Sequence, residues 1–163
     1  MKFRLKEISL TVVFAALYAA AVIVLAPISF GLWQVRIADA LLPLSMIFGI
    51  PCALGLSLGC IIGNVYGGLG PIDIVGGSIA NFIACIIAYE IGRRGGVAAR
   101  FLGSLTETVI ITVIVGGYLS YLLDVPIELS IIGVLLGSVI AINLVGFALE
   151  EILRRVYASQ IRR

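Results

Sequence analysis

"GLWQVRIADALLPLSMIF", residues 31–48, is the stretch on which the fold turns. It places a Trp, a Gln, an Arg and an Asp within seven positions of a chain that is otherwise 61% hydrophobic, with a mean hydropathy of +1.20. From Ile37 onward it reads as an apolar helix, but a short one. Outward from it the chain is a series of apolar runs. Only 12% of residues are charged, against roughly 25% in an ordinary soluble domain. So few charges cannot cover a water-facing surface, and the composition points to an integral membrane protein. The first apolar run exceeds a signal-peptide core of roughly 7–15 residues, and similar runs recur to the end, so a cleaved leader is not expected.

A spanning helix needs about 20 mostly apolar residues. Six candidates are present: 8–26, closed by Pro27; a short second one from Ile37; "CALGLSLGCIIGNVYG" at 52–67, between "GIP" and "GLGP"; 72–91; 101–122; and 129–149. The tail "EEILRRVYASQIRR" is charged and amphipathic. The expected fold is all-α, a single membrane-embedded domain over 1–163 with six transmembrane helices. Segments two and three are too short for lipid-exposed crossings, so they are expected to form a tilted or broken hairpin leaning on the other helices. Four spans with that hairpin re-entrant is the alternative.

Basic residues set the orientation. With the N-terminus inside and six alternating spans, Lys2, Arg4, Lys6, Arg93, Arg94, Arg100, Arg154, Arg155, Arg162 and Arg163 are all cytoplasmic, ten of the eleven Lys and Arg. Both termini are then cytoplasmic, in the plasma membrane. The remaining cation is Arg36, outside, so the opening stretch breaks the charge rule as well as the hydropathy rule. The chain has no histidine, which excludes imidazole catalysis and the usual metal ligands. Phosphate-loop, G-x-S-x-G and H-E-x-x-H motifs are absent. No enzyme activity, cofactor, metal site or nucleic-acid partner is expected. Cys52, Cys60 and Cys85 match no zinc or redox spacing and read as small core residues.

Gly55, Gly59, Gly63 and Gly67 recur every four residues and line one helix face, where a neighbouring backbone can approach closely. Ala15–Ala19 and Ala16–Ala20 give the first segment small faces as well. One serves packing within the bundle; a second is free to meet another protein.

Several polar residues fall at one level when depth is counted at about 1.5 Å per residue. Asp39, Asn64, Tyr66, Asp73, Ser78, Asn81, Tyr118 and Tyr121 lie near the outer ends of their segments, with Trp33, Gln34 and Arg36 in the loop above. A pocket open to the outside, with apolar walls and a few polar groups, is the functional reading. Structural readings stand beside it. Arg36 and Asp39, three apart, suit an ion pair on a first turn. Trp33 suits an interfacial belt, Asp73 a helix N-terminus, and Asn64 and Asn81 interhelical glue. Glu107 and Asn143 lie nearer the inner side and are expected to bond to each other, as glue or in coupling. Glu90 is expected to pair with Arg93 or Arg94.

"PISFGLWQVRIADALLPL" at 27–44, followed by "GIPCALGLSLGCIIGNVYGGLGPIDIVGGSIANFIA" at 49–84, resembles the QueT family. Members of that family are taken to be substrate-binding S components of energy-coupling factor (ECF) transporters for queuosine precursors. The resemblance implies six helices, capture of a 7-deazaguanine such as preQ0 or preQ1 from outside, and work with a transmembrane coupling protein and two ABC-type ATPases. An A-x-x-x-A pattern on the first helix, here Ala15 and Ala19, would meet the coupling protein. Where the family form carries Ser-Glu, this chain has Ala38-Asp39, a shorter acid. Asp39 or Asp73 would accept the N1–H and 2-amino donors of the base. Arg36, Gln34 or an Asn would donate to O6, and Trp33 or Tyr66 would stack on the ring. The competing readings are the same architecture with another vitamin or nucleobase, and a structural membrane protein without a ligand.

Overall fold

The structure, a computed structural model, describes residues 4–30, 36–93 and 95–161, with side chains as far as 156. It is all-helical, with no strand among the described residues. Five helices are long and apolar enough to cross a membrane: Leu5–Val24 (α1), Ile50–Gly67 (α4), Pro71–Gly92 (α5), Val97–Leu122 (α6) and Ile127–Val156. The last combines α7 (Ile127–Ser138), a π-helical stretch (Val139–Gly146) and the start of α8 (Phe147–Ile161). A single turn, α2 (Ala26–Ser29), follows α1.

The opening stretch forms the shorter apolar helix, Ile37–Phe48. It is broken, as expected: a 3-10 segment over Ile37–Leu44 and one α turn, α3 (Ser45–Phe48). Pro43 lies inside the 3-10 segment and has no N–H to give to an α-type bond. The 3-10 rise of about 2.0 Å per residue stretches the whole helix to about 22 Å, against about 18 Å if it were all α and a core of about 30 Å.

Segment three departs from expectation. It recruits Ile50 and Pro51, with Pro51 in the first turn, and reaches 18 residues, about 27 Å. It therefore qualifies as a span, and only one arm of the expected hairpin is short. The turn between the arms is Gly49, at φ +67, a conformation side-chain-bearing residues rarely adopt. The charged tail continues the last spanning helix.

The glycine stripe of α4 packs on α1. A Cβ at Gly55 would lie 2.5 Å from the Thr11 carbonyl oxygen, one at Gly59 2.6 Å from the Ala15 carbonyl oxygen, and one at Gly63 2.8 Å from Val22. This contact decides which small face of α1 is internal. Ala19 is buried and Ala15 half-buried against α4, whereas Ala16 and Ala20 are exposed. The pair implied as the partner contact, Ala15 and Ala19, is thus turned into the bundle.

The short helix is a wedge held on several sides. It packs on the π stretch, α1, α4, α5, α6 and α8. Ala40 and Gly146 meet so closely that a Cβ on Gly146 would fall 2.7 Å from the Ala40 carbonyl oxygen. At the Arg36 end of the wedge lie Phe30 and Cys60. At the Phe48 end, Arg154 donates to the Met46 carbonyl (3.1 Å), and Thr11 reaches the Pro51 carbonyl (3.1 Å). The start of α1 and the α8 end of the chain therefore lie at the same end of the bundle.

Candidate functional site

Buried polar side chains gather where α4, α5, α6 and the start of the short helix meet α1. The local sequence explains why. Arg36 stands at the N-cap of the short helix, and the Asp39 N–H bonds back to its carbonyl at 2.9 Å. Asp39 thus sits in a first turn, where the helix dipole favours an anion. Asn64 occupies the last turn of α4, which Gly68 closes at φ +73. After Gly70 (φ +103), Pro71 starts α5 and sets Asp73 in its first turn. The tight connection brings the Asn64 amide to the Asp73 backbone, with Nδ2 donating to the carbonyl at 2.7 Å.

Four residues named from the sequence form the core of the cluster: Arg36, Asp39, Asn64 and Asp73, all buried. Tyr18, Cys60, Gly77 and Tyr118 join them. The Tyr18 hydroxyl donates to Asp39 Oδ1 (2.5 Å) and the Tyr118 hydroxyl to Asp73 Oδ1 (2.8 Å). Arg36 does not pair with Asp39: no ion pair within 4.0 Å joins them. Its Nη1 lies 3.8 Å from Cys60 Sγ and its guanidinium 5.5 Å from the Phe30 ring centroid. Arg36 is within electrostatic reach of both Asp39 and Asp73. Gly77 is where the helices close in: a Cβ there would lie 2.7 Å from Asn64 Nδ2 and 3.3 Å from both Cys60 Sγ and the Tyr118 hydroxyl.

The cluster keeps unused hydrogen-bonding capacity. Arg36 Nε and Nη2, Asn64 Oδ1 and Asp73 Oδ2 are buried and have no protein partner. Burying such atoms unpaired costs roughly 1–3 kcal/mol each. Four of the eight such atoms among the described residues fall in this one cluster.

Other expected members are placed differently. Ser78 turns back to the Val75 carbonyl of its own helix (3.0 Å). Asn81, with Nδ2 unpartnered, is buried eight residues further along α5 than Asp73, about 12 Å deeper. Tyr66 and Tyr121 are 60% and 78% exposed and face away from the cluster. Trp33 and Gln34 lie outside the described residues. Arg36, Asp39, Asn64 and Asp73 are each no more than 5% exposed. A separate groove of about 170 Å³ lies between α1 and α4, lined by Ile8, Thr11, Val12 and Leu54. It holds none of the cluster. Of the four added residues, only Tyr118 was visible beforehand, as a tyrosine at the outer level. Cys60 read as a small core residue, and nothing in the sequence singled out Tyr18 or Gly77.

Glu107 and Asn143 do not bond to each other. Asn143 accepts from Thr108 (2.7 Å) and donates to Ser104 (3.1 Å), while Glu107 accepts from Ser45 of the short helix at 3.4 Å. The two residues sit on different faces, Glu107 turned toward the wedge and Asn143 toward α6. Further in, Arg100 pairs with Glu150 (3.4 Å) and Glu151, and Arg154 with Glu150 (2.7 Å). Glu90 pairs with Arg93 at 2.6 Å. No group of three or more metal-binding side chains occurs among the described residues.

The family model described as QueT transporter matches residues 8–155, nearly the whole chain. No curated protein and no solved structure matches it.

Proposed function

The chain belongs to the QueT transporter family, a multi-pass membrane transport component, and from that premise we propose that it is the S component of an ECF transporter, capturing a 7-deazaguanine from outside for ATP-driven uptake. The carrying observation is the set of buried, unpaired donors and acceptors on Arg36, Asn64 and Asp73. A flat base with N1–H and 2-amino donors beside its O6 acceptor complements that set. Arg36 supplies donors for O6, and Asp73 and Asn64 supply acceptors. Polar groups this deep in an apolar bundle are expensive and mark a ligand path by default. Trp33 and Gln34 complete the proposed site on the strength of the sequence alone.

The charge count refines the ligand. Among the described residues the cluster holds one cation, Arg36, and two carboxylates, Asp39 and Asp73. That imbalance supports a base carrying a positive aminomethyl group, as in preQ1, over the neutral nitrile of preQ0. Arg36 is the movable part: among the described residues, a 3.8 Å thiol contact and a ring face hold its side chain.

In this reading the chain is one unit over 1–163 with six passes, the wedge helix being the second, and both termini are cytoplasmic. ATP is used by two ABC-type ATPases through a coupling protein docked on α1. Mass spectrometry of small molecules co-purifying with the protein, followed by titration of preQ1 and preQ0, tests the proposal. Tighter binding of preQ1 is expected. Binding of neither base, with another vitamin co-purifying, overturns the substrate.

A further inference from the structure

We propose that Tyr118 is a positioning residue: it orients the Asp73 carboxylate so that Asp73 Oδ2 and Asn64 Oδ1 together form a two-acceptor edge, selecting ligands with two neighbouring N–H donors. The inference rests on the reading of this cluster as the ligand site.

The geometry limits what each side chain can offer. The Tyr118 hydroxyl occupies Asp73 Oδ1 at 2.8 Å. That fixes the rotation of the carboxylate and leaves Oδ2, buried and unpartnered, as its free acceptor. Asn64 is fixed in the same way. A backbone carbonyl can only accept, so the group facing the Asp73 carbonyl at 2.7 Å must be the amide NH2. The amide oxygen is then turned away from that bond, and it too is buried without a partner. The Asn64 amide cannot reverse its role without giving up its bond to the Asp73 carbonyl. Gly77 lets them converge, because any Cβ there would press on both the Asn64 amide and the Tyr118 hydroxyl. The acceptor pair is therefore drawn from α4 and α5 and held by α6. It is not the two oxygens of one carboxylate.

A 2-amino-pyrimidinone edge, with ring N–H and exocyclic NH2, matches two acceptors. An analogue without the amino group leaves one of them buried and unpaired. Sites built to hydrogen-bond a group reject ligands lacking it strongly.

The test uses two probes with the same charge, 7-aminomethyl-7-deazaguanine and 7-aminomethyl-7-deazahypoxanthine, titrated calorimetrically into the purified full-length protein. Wild type is expected to prefer the amino-bearing base by about 100-fold, the scale of one buried acceptor left unpaired. Asp73→Asn should abolish or reverse that preference: Tyr118 still holds Oδ1, which forces the new NH2 toward the ligand's donors. Adding Tyr118→Phe to Asp73→Asn frees the amide to turn its oxygen inward, and at least about tenfold of the preference, or 1.4 kcal/mol, should return. Tyr118→Phe alone should narrow the preference while leaving the affinity for the analogue nearly unchanged. A packing role for Tyr118 would weaken both probes alike and give no recovery in the double variant. Equal weakening of both probes with no recovery overturns the inference, and so does a wild type that binds both probes equally. A wild type that binds neither probe overturns the ligand reading of the site along with it. Should Tyr118→Phe fail to fold, the comparison of wild type with Asp73→Asn alone still decides: an undiminished preference in Asp73→Asn overturns the inference.

Discussion

Two acids compete for the role of ligand acceptor, and their partners separate them. Asp39 receives the Tyr18 hydroxyl at 2.5 Å and lies within electrostatic reach of Arg36. Asp73 keeps one oxygen buried and free. Asp73→Asn is therefore expected to weaken ligand binding by more than about tenfold, as when a buried charge-assisted contact is broken. Asp39→Asn keeps an oxygen for Tyr18 and should weaken binding by less than Asp73→Asn does, through the lost charge alone. Titration calorimetry on both variants checks this, and equal losses would put both carboxylates on the ligand. Gly77 and Gly117 give a second comparison. A methyl group on Gly77 collides with the Asn64 amide at 2.7 Å, whereas one on Gly117 meets nothing within 4 Å. Gly77→Ala should lower ligand affinity at least about tenfold, the scale of one lost hydrogen-bonded contact to a buried group. Gly117→Ala should leave it unchanged.

At the scale of elements, α1 and the inner end of the bundle matter most. Because Ala15 and Ala19 back onto α4, a tryptophan at either would pry the two helices apart. Ala16 and Ala20 are exposed, with the same four-residue spacing, and offer the close approach a partner helix needs. Ala16→Trp and Ala20→Trp should abolish uptake in cells while ligand binding by the purified protein persists. Normal uptake in both would remove α1 as the docking helix. At the inner end, the Arg100 side chain is 9% exposed and bonds Glu151 from α6 to α8, beside the fully buried Glu150. Arg100→Gln leaves those carboxylates short of a counter-charge and should cost about 3–5 kcal/mol, the usual penalty for breaking a buried pair. A thermal melt in detergent reads this as a lower midpoint.

For the whole molecule, the wedge helix decides the topology. Running from the Arg36 cluster to the Arg154–Met46 contact, it carries the chain from one end of the bundle to the other although it is too short to face lipid alone. Under the proposed six passes the two termini fall on one side, which the positive-inside rule would make the cytoplasm. Cysteines placed near either terminus should resist a membrane-impermeant thiol reagent in intact cells. Labelling of one terminus alone would mean five passes.

The apolar runs, the missing charges and the basic asymmetry were legible in the sequence because lipid imposes them on each segment separately. Helix breaks at Gly49 and Pro71 were legible too, since glycine and proline act locally. The short second helix and the shared level of Arg36, Asp39, Asn64 and Asp73 followed from counting along the chain. Rotation about each helix axis did not. Small residues ring much of α1, so only the glycine stripe of α4 could choose Ala15 and Ala19 as the inner face. Asn64 and Tyr66 are neighbours in depth, yet two residues apart on a helix puts them on opposite sides, one buried and one exposed. The partners of Asp39, Asp73 and Glu107 lie 21, 45 and 62 residues away. Depth comes from sequence position alone, but which side chains meet depends on how helices from distant parts of the chain turn toward one another, and that is settled only when they pack.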